Sequence, residues 1–420
     1  MVVITEATMA MRRKNKEEAV MKNKNLVHYL VLVEGVVLAV MIVLVLMQQL
    51  AGRKEHKTQP DNEEQLFTTE EMDSTQQTEV LPKQTAYIEE TVTFQPEVMQ
   101  KLDAMSTGEK VAQMFLLTPE MLTATDQVTV AGAGSKTALD TYPVGGLLYT
   151  EHNFLGKEQT AKMLHGVQEY SQERIGVPLF LAAAEEGGND YSPVAVSNDY
   201  GIAAAAADIT SLEDAASAAT AIGTYLHTEG FNLNLAPYAV AGDARSFQGD
   251  ESAVNEMAAA QIDAFRQLGI FSVLMYYPAY AAELEQDADC IMMGNVTASD
   301  LTEGEDILCT MSAQTISTLR SDRGYSGIII SGSLSDETIT GKYDAASAAI
   351  AAVQAGNDML YLPADFPMAY QAVVDAVNDG TIAMDRINCS VGRILTGKLK
   401  LTQIQEEIPS DGENTSEDGV

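Results

Sequence analysis

Short apolar runs recur along the central part of the chain, and longer segments of mixed character separate them. Each run is apolar throughout and does not alternate with polar residues, which predicts strands buried on both faces, as in a parallel sheet covered by helices. Between the runs, Ala215, Ala218 and Ile222 fall at spacings of three and four residues, which predicts a helix. The eight predicted strands lie within residues 111–117, 145–150, 178–186, 232–237, 271–278, 290–296, 327–333 and 357–363.

Eight strand and helix units over about 310 residues predict an α/β fold, a (β/α)8 TIM-like barrel. Ser106 and Glu109 have the spacing of a capping box, which predicts a helix that leads into the first strand. The alternative is an open doubly wound sheet, which needs phosphate-binding glycines after the first strand. The stretch VAQMFLLTPEML contains no glycine, so the barrel is favoured.

A different apolar segment precedes this region. Residues 26–50 form a run of 25 residues in which Glu34 is the only formally charged side chain, long enough to cross a bilayer as a helix. Six Lys and Arg residues precede the run and three follow it closely, which predicts a cytoplasmic N-terminus. No small-residue cleavage site closes the run. We therefore expect a single-pass anchor at the cell membrane, with the barrel on the extracytoplasmic side.

The composition of the flanking segments completes the predicted domain organisation. Polar residues rich in Gln, Thr and Glu follow the apolar run, and a similar acidic stretch ends the chain; neither shows apolar periodicity. The predicted parts are a basic cytoplasmic segment (1–25), a transmembrane anchor (26–50), a disordered polar and acidic stalk (51–90), the barrel (91–402) and a disordered acidic tail (403–420).

The charge of the chain narrows the range of its partners. With 60 Asp and Glu against 25 Lys and Arg, the formal net charge is −35. Such a field repels nucleic acid and suits a neutral ligand, such as a neutral glycan, or a cationic partner, such as a protein of the cell envelope. We expect no nucleic-acid partner.

Cysteine and histidine usage indicates no cofactor or metal. Cys290, Cys309 and Cys389 are too few for a disulfide framework; a pair between Cys290 and Cys309 and unpaired buried thiols both stay open. The histidines of the predicted barrel are His152, His165 and His227, and their spacing is not that of metal ligands. The sequence also lacks a phosphate loop and an EF-hand loop, so we predict neither a metal nor a cofactor.

Short motifs lie at the predicted strand ends: VGGLLY followed by Asn153, AAAEEGG (182–188), NLNLAP (232–237), Arg245 with Ser246 and Phe247, AGNDMLYLP (355–363) and the closing RINCSVGRILTGKLKL. These motifs resemble those of glycoside hydrolase family 3 and occur in the family's order over roughly residues 95–400. No second sandwich domain follows the predicted barrel in this sequence, which resembles the family's single-domain β-N-acetylglucosaminidases.

The same resemblance shows departures at the positions that carry the family's chemistry. The nucleophilic Asp corresponds to Gly332, and the ligand-gripping Asp of the third strand corresponds to Ala184. The stretch Lys-His-Phe-Pro-Gly-His-Gly is replaced by residues 275–281, MYYPAYA, and the Ala-His that ends the next strand is Gly294 with Asn295. The loop with the acid/base His is too short here and contains no His. The resemblance therefore implies that no catalytic residue is retained.

Several side chains at the strand ends remain candidates for ligand binding: Glu186, Arg245, Asn234, Tyr276 and Tyr280. Glu185 and Glu186 are adjacent on a strand, so one should face the barrel and the other should face away. Glu186 is expected to bind loop backbone or to pair with Arg245, and some of the tyrosines are expected in the core. Asp336 and Glu337 are interpreted as a solvated helix start, where acids favour the N-terminal dipole.

Three hypotheses about function follow. The first is a membrane-anchored, extracytoplasmic pseudoenzyme of family 3 that binds a glycan or a protein at the cell wall. The second is an active β-N-acetylhexosaminidase-type hydrolase that uses a displaced carboxylate, Glu186 or Asp336. The third is a purely structural barrel whose pocket is filled by Tyr and Met side chains.

Overall fold

The computed structural model describes residues 87, 92–280, 285, 287–302, 304 and 306–408. The chain divides into two compact units, Met1–Thr78 and Glu79–Val420, and all described residues belong to the second. The predicted basic segment, the anchor at 26–50 and most of the predicted stalk lie outside the described residues. Within the described ranges, no helix combines the length and apolar character needed to cross a membrane.

Eight parallel strands form one sheet in the order β7-β6-β5-β4-β3-β2-β1-β8. A parallel bridge between Ile330 and Met359 joins the two ends of this order, so the sheet closes on itself. The predicted barrel is thus confirmed, and the alternative of an open sheet is wrong. Each predicted run contains one strand: β1 Phe115–Leu117, β2 Gly146–Leu148, β3 Phe180–Ala183, β4 Leu233–Asn234, β5 Phe271–Tyr277, β6 Cys290–Met293, β7 Ile328–Ile330 and β8 Leu360–Tyr361.

Helices cover the outside of the barrel. The predicted capping box is confirmed, since Ser106 Oγ accepts from Glu109 N at 3.3 Å and Glu109 Oε2 accepts from Ser106 N at 2.9 Å. The α-helices are α1 Pro96–Ala104, α2 Thr107–Gln113, α3 Pro119–Thr123, α4 Ala133–Thr141, α5 Lys157–Ile175, α6 Pro193–Ser197, α7 Leu212–Glu229, α8 Glu251–Gln267, α9 Ala313–Ser317, α10 Glu337–Thr340, α11 Ala345–Ala355, α12 Phe366–Asn378 and α13 Met384–Glu407. Short 3₁₀ segments lie at Glu151–Asn153, Ala206–Asp208 and Cys309–Met311, and a π-helical turn lies at Thr318–Asp322.

Helix α13 closes the N-terminal end of the barrel. A Cβ atom on Gly397 would lie 3.0 Å from Ile328 Cδ1 and 3.4 Å from Phe271 Cε2, so the helix backbone rests on the first residues of β7 and β5. Next to it, Lys398 Nζ donates to Gln113 Oε1 at 2.8 Å, and both residues are buried. Packed side chains of α13 therefore cover part of this end of the barrel.

Two predicted boundaries need correction. Helix α13 continues to Glu407, five residues into the predicted tail, because Leu401 is buried and Gln405 Nε2 donates to Gly269 O at 3.3 Å. At the other end, Tyr87 falls within the predicted stalk, yet its N–H donates to Gln354 O at 3.0 Å. Tyr87 and Gln405 contact residues that are distant in sequence. The polar composition of the two segments therefore gave no sign of these contacts.

Cys290 and Cys309 are not joined by a disulfide. Cys290 and Cys309 are buried, and burial raises the pKa of each thiol above its ordinary value. Of the two alternatives for Cys290 and Cys309, the structure therefore supports unpaired buried thiols and not a disulfide.

Candidate functional site

The C-terminal ends of the strands surround the barrel mouth, where (β/α)8 barrels carry their functional groups. At the end of β7, the backbone N–H of Gly332 donates to Thr310 Oγ1 at 2.8 Å. A Cβ atom on Gly332 would lie 2.2 Å from Asn295 Oδ1 and 2.9 Å from Met293 O, both shorter than any ordinary contact of a Cβ atom. The end of β6 therefore fills the space that a side chain at position 332 would need.

Asn295 is held in this place by the neighbouring loop. Its Nδ2 donates to Ser333 O at 2.8 Å, so the amide bridges the ends of β6 and β7. Its Oδ1 is buried and has no hydrogen-bond partner among the described residues. A neutral side-chain amide thus lies beside the position that the family resemblance assigns to the nucleophile, and an amide neither attacks a sugar carbon nor donates a carboxyl proton.

Glu186 and Arg245 form an ion pair at the mouth, as the sequence predicts for Glu186. Arg245 Nε donates to Glu186 Oε2 at 2.8 Å, and Arg245 Nη2 donates to Glu186 Oε1, so both carboxylate oxygens are engaged. The side chain of Glu186 is only 7% exposed, whereas that of Arg245 is 28% exposed. Two parallel hydrogen bonds of this kind fix the geometry of both groups.

Two aromatic rings contact the guanidinium of Arg245. Its Cζ lies 4.5 Å from the ring centroid of Tyr191 and 4.5 Å from that of Tyr238, within the range of cation–π attraction. Tyr238 Oη donates to Asp243 Oδ2 at 3.0 Å, and the backbone N–H of Arg245 donates to Asp243 Oδ1 at 2.8 Å. These three neighbouring residues therefore hold the ion pair in place before any ligand arrives.

The other predicted ligand-binding residues divide into two groups. Tyr276 is partly exposed, and its ring lies 6.3 Å from that of Tyr238, so it belongs to the mouth. Tyr280 is buried against Tyr277, with ring centroids 6.0 Å apart, so its prediction as a ligand contact is wrong. The ring packs in a buried apolar cluster that also contains Tyr277 and Tyr325.

Asn234 is not available to a ligand. It is fully buried, its Oδ1 accepts from Glu185 N at 2.9 Å, and its Nδ2 donates to Glu185 O at 2.8 Å. Both ends of the amide thus hold the backbone that follows β3. The prediction of Asn234 as a binding residue is therefore wrong, and its observed contacts position the Glu185–Glu186 segment.

Glu185 points away from Glu186, as expected for adjacent residues that leave a strand. Its carboxylate accepts from Val194 N at 2.5 Å and from Tyr225 Oη at 2.5 Å. Burial raises the pKa of Glu185 to about 7. This carboxyl therefore secures α6 against α7 and does not face the mouth.

A second buried carboxyl accompanies Glu185. The Tyr225 ring stacks on Tyr200 at 4.8 Å, and Glu229 accepts from Asn198 Nδ2 at 2.9 Å with each oxygen. Burial raises the pKa of Glu229 to about 7 as well. Sequence analysis missed this cluster, because Glu229 lies in the last turn of an otherwise ordinary helix and its partners come from distant segments.

Asp336 is the N-cap of α10, which confirms its interpretation as a helix start. Its Oδ1 accepts from Thr338 N at 2.8 Å and from Thr338 Oγ1 at 2.6 Å. These hydrogen bonds lower the pKa of Asp336. An exposed carboxylate with a lowered pKa is a poor proton donor.

The cavity described next lies away from the mouth, and the described residues form no metal-ligand group. A cavity of about 630 Å³ lies at the N-terminal ends of the strands, where Phe271, Asp289 and Ile328 line it, and not at the mouth. Among the residues that the structure describes, no three His, Cys, Asp or Glu side chains come together as metal ligands.

The closed parallel barrel and its strand-end motifs define a (β/α)8 protein of the glycosidase type. The family model described as glycosyl hydrolase family 3 N terminal domain matches residues 106–287 and 275–397. The chain therefore belongs to this family, and the resemblance noted in the sequence is confirmed.

Individual relatives agree with the family. A β-hexosaminidase A from Pseudoalteromonas piscicida is 23% identical over an alignment of 325 residues, and the match covers 62% of this chain and 54% of that protein. The chain thus spans about half the length of this curated relative.

Solved structures show the same fold. A family 3 β-N-acetylglucosaminidase from a Paenibacillus species has a TM-score of 0.66 and 22% identity, covering 75% of this chain and 66% of that one. A β-N-acetylhexosaminidase from Beutenbergia cavernae has a TM-score of 0.60 and 21% identity, covering 70% of this chain and 98% of that one.

Proposed function

We propose that this family 3 barrel does not hydrolyse glycosides and serves as a binding module held at the outer face of the cell membrane. The observation that carries the proposal is the packing of Asn295 against the Cα atom of Gly332. Retaining glycosidases need a nucleophile and a proton donor about 5 Å apart across the glycosidic bond. The space for the first is filled by an amide, and the loop that supplies the second in the family is shorter here.

The alternative of a displaced carboxylate finds little support in the geometry. Both oxygens of Glu186 are bound by Arg245, and a carboxylate so paired is stabilised in its charged form. It is thus a poor general acid, and as a nucleophile it would first have to leave the guanidinium. Asp336 is engaged by Thr338 and exposed to solvent.

A shallow glycan site at the mouth is favoured over a wholly filled barrel. Met275 is buried at the end of β5, which supports the idea that the former pocket is filled. Above it, however, the Tyr191 side chain is 42% exposed and rests on Arg245, whose guanidinium also reaches solvent. A flat aromatic face beside hydrogen-bond donors suits a neutral sugar ring. Placement at a membrane rests on the apolar segment 26–50.

The decisive test is a hydrolysis assay on the full chain in detergent micelles. We expect no fluorophore release from 4-methylumbelliferyl N-acetyl-β-D-glucosaminide, while an active family 3 hexosaminidase in the same detergent turns over. Release by the wild-type chain that is lost in Glu186→Gln, with the circular dichroism spectrum unchanged, would overturn the proposal and identify the displaced carboxylate.

The binding part is tested separately by titration with N-acetylglucosamine oligomers. We expect saturable binding that Tyr191→Ala weakens and that Tyr343→Ala, a substitution in the loop after β7, leaves unchanged. Equal affinity of both variants would assign binding to another surface, and absence of binding by the wild type would favour a structural barrel.

A further inference from the structure

Three exposed apolar side chains lie on segments that follow neighbouring strands at their C-terminal ends, Val196 within α6 and the other two on loops. Leu155 is 68% exposed, Val130 62% and Val196 55%, the highest values among the large apolar residues that the structure describes. They follow β2, β1 and β3, which are adjacent strands of the sheet. We refer to these three residues as the apolar triad.

The first turn of α5 ties the three loops together. Gln159 Oε1 accepts from Leu155 N at 2.7 Å, and Gln159 Nε2 donates to Thr129 O at 2.5 Å, next to Val130. The adjacent Thr160 Oγ1 accepts from the Nδ2 of Asn198 at 3.0 Å. Asn198 lies two residues after Val196. These hydrogen bonds from Gln159 and Thr160 hold the three segments that carry the triad next to one another.

Exposed acidic residues predominate in the segments that carry the triad. Within five residues of the triad in sequence there are four carboxylates and one lysine. The lysine, Lys157, has its Nζ 3.9 Å above the ring of Tyr200, which draws its charge toward that ring. The carboxylates belong to Asp126, Glu151, Glu158 and Asp199, all exposed.

We propose that the apolar triad binds a protein segment that presents apolar side chains flanked by Lys and Arg. Exposed apolar side chains fixed in one patch and rimmed by polar groups mark interaction sites. The rim selects among occupants, since an acidic rim repels anionic lipid and a second copy of the same acidic surface, and attracts a cationic segment. The triad lies outside the Glu186–Arg245 mouth, so the inference goes beyond the proposed function and stands whether or not the chain hydrolyses a glycoside.

The test uses the full chain in micelles and a synthetic amphipathic Leu/Lys helical peptide as the probe. We expect Val130→Ser/Leu155→Ser/Val196→Ser to weaken peptide binding about tenfold, a loss of roughly 1.4 kcal/mol. A matched triple variant, Met99→Ser/Val296→Ser/Met368→Ser, removes three exposed apolar side chains elsewhere and should bind as the wild type does.

Two further measurements separate the apolar contribution from the charge contribution. The variant Asp126→Lys/Glu151→Lys should bind the Leu/Lys peptide with lower affinity and with a weaker dependence on salt. A Ser/Lys peptide of equal charge should bind the wild-type chain more weakly than the Leu/Lys peptide does. Three outcomes would each overturn the inference. They are equal losses of peptide affinity in the two triple variants, tight binding of a Leu/Glu peptide, and association with phosphatidylcholine vesicles in place of the peptide. Hydrolysis measured on the same samples reports on the proposed function independently.

Discussion

The two ends of the barrel differ in how they treat charged groups. At the N-terminal end, Asp358 is fully buried and accepts hydrogen bonds from Arg320, from Arg393 Nη1 at 3.2 Å and from Ser390 Oγ at 2.8 Å. Burial opposes ionisation there, yet the surrounding arginines hold the pKa of Asp358 below its ordinary value. At the C-terminal end, the positions that correspond to catalytic and ligand-gripping acids are Gly332 and Ala184.

This difference separates the groups that stabilise the barrel from the groups at its mouth. In (β/α)8 barrels, stabilising residues concentrate at the N-terminal end and catalytic residues at the C-terminal end. The sequence around Asp358 forms a buried ion network, whereas an amide and an ion pair occupy the mouth. The proposed loss of hydrolysis would therefore leave the groups that hold the fold in place.

The largest effect is expected from Asp358→Asn. Removing the charge leaves buried guanidinium groups uncompensated, which costs about 3–5 kcal/mol of the free energy of unfolding. Urea denaturation at pH 7 measures this loss. Asp336→Asn is the matched control, because Asn also serves as an N-cap and the site is exposed, and its effect should be below about 0.5 kcal/mol. Similar losses in the two variants would remove the contrast between the ends.

The next effect concerns Lys398 at the same end. Burial lowers the pKa of Lys398 from 10.5 to about 7. Between pH 7 and 10.5 the unfolded chain therefore binds more protons than the folded chain, so this residue makes stability rise with pH by about 3 kcal/mol. Lys398→Met should abolish that rise, measured by urea denaturation at pH 7, 8, 9 and 10. A rise that persists in the variant would assign it to other groups.

Gly332→Asp tests the packing at the mouth. The new side chain would meet Asn295, and overpacking costs about 1–3 kcal/mol of stability. Adding Asn295→Ala should recover most of the loss, which thermal denaturation of the three proteins measures. If Gly332→Asp alone keeps the wild-type melting temperature, the space beside position 332 is larger than the structure indicates. Under the proposed function we expect no hydrolysis from either variant, since neither substitution adds a proton donor.

The smallest effect is expected from Glu229→Gln, which mimics the protonated carboxyl. The pKa values of Glu185 and Glu229 are raised to about 7 in the folded chain, so their contribution to stability is present below pH 4.5 and is lost as pH rises through 7. The variant should reduce the fall in unfolding free energy between pH 5 and 8 by about 1–2 kcal/mol. Glu151→Gln, at an exposed site, should leave the slope unchanged; the opposite ranking would contradict the assignment.

Much of the fold was predictable from local patterns. Uninterrupted apolar runs located all eight strands, and the Ser106 capping box located the start of α2, because burial on both faces and end capping depend on neighbouring residues. The ion pair of Glu186 with Arg245 was also expected, since the family motifs bring both residues to the mouth. The assignments of Asn234 and Tyr280 failed because sequence does not show which way a side chain leaves its strand end.

The sequence by itself determined the barrel, its family and the identity of the residues at each strand end. Only the tertiary structure decided which of those residues meet. Asn295 reaches Gly332 and Ser333, Gln159 joins two loops, and Glu185 and Glu229 approach the same stacked tyrosines. The physical reason is that strand formation depends on local burial, whereas contacts between strand ends arise only when the sheet closes and brings distant segments together.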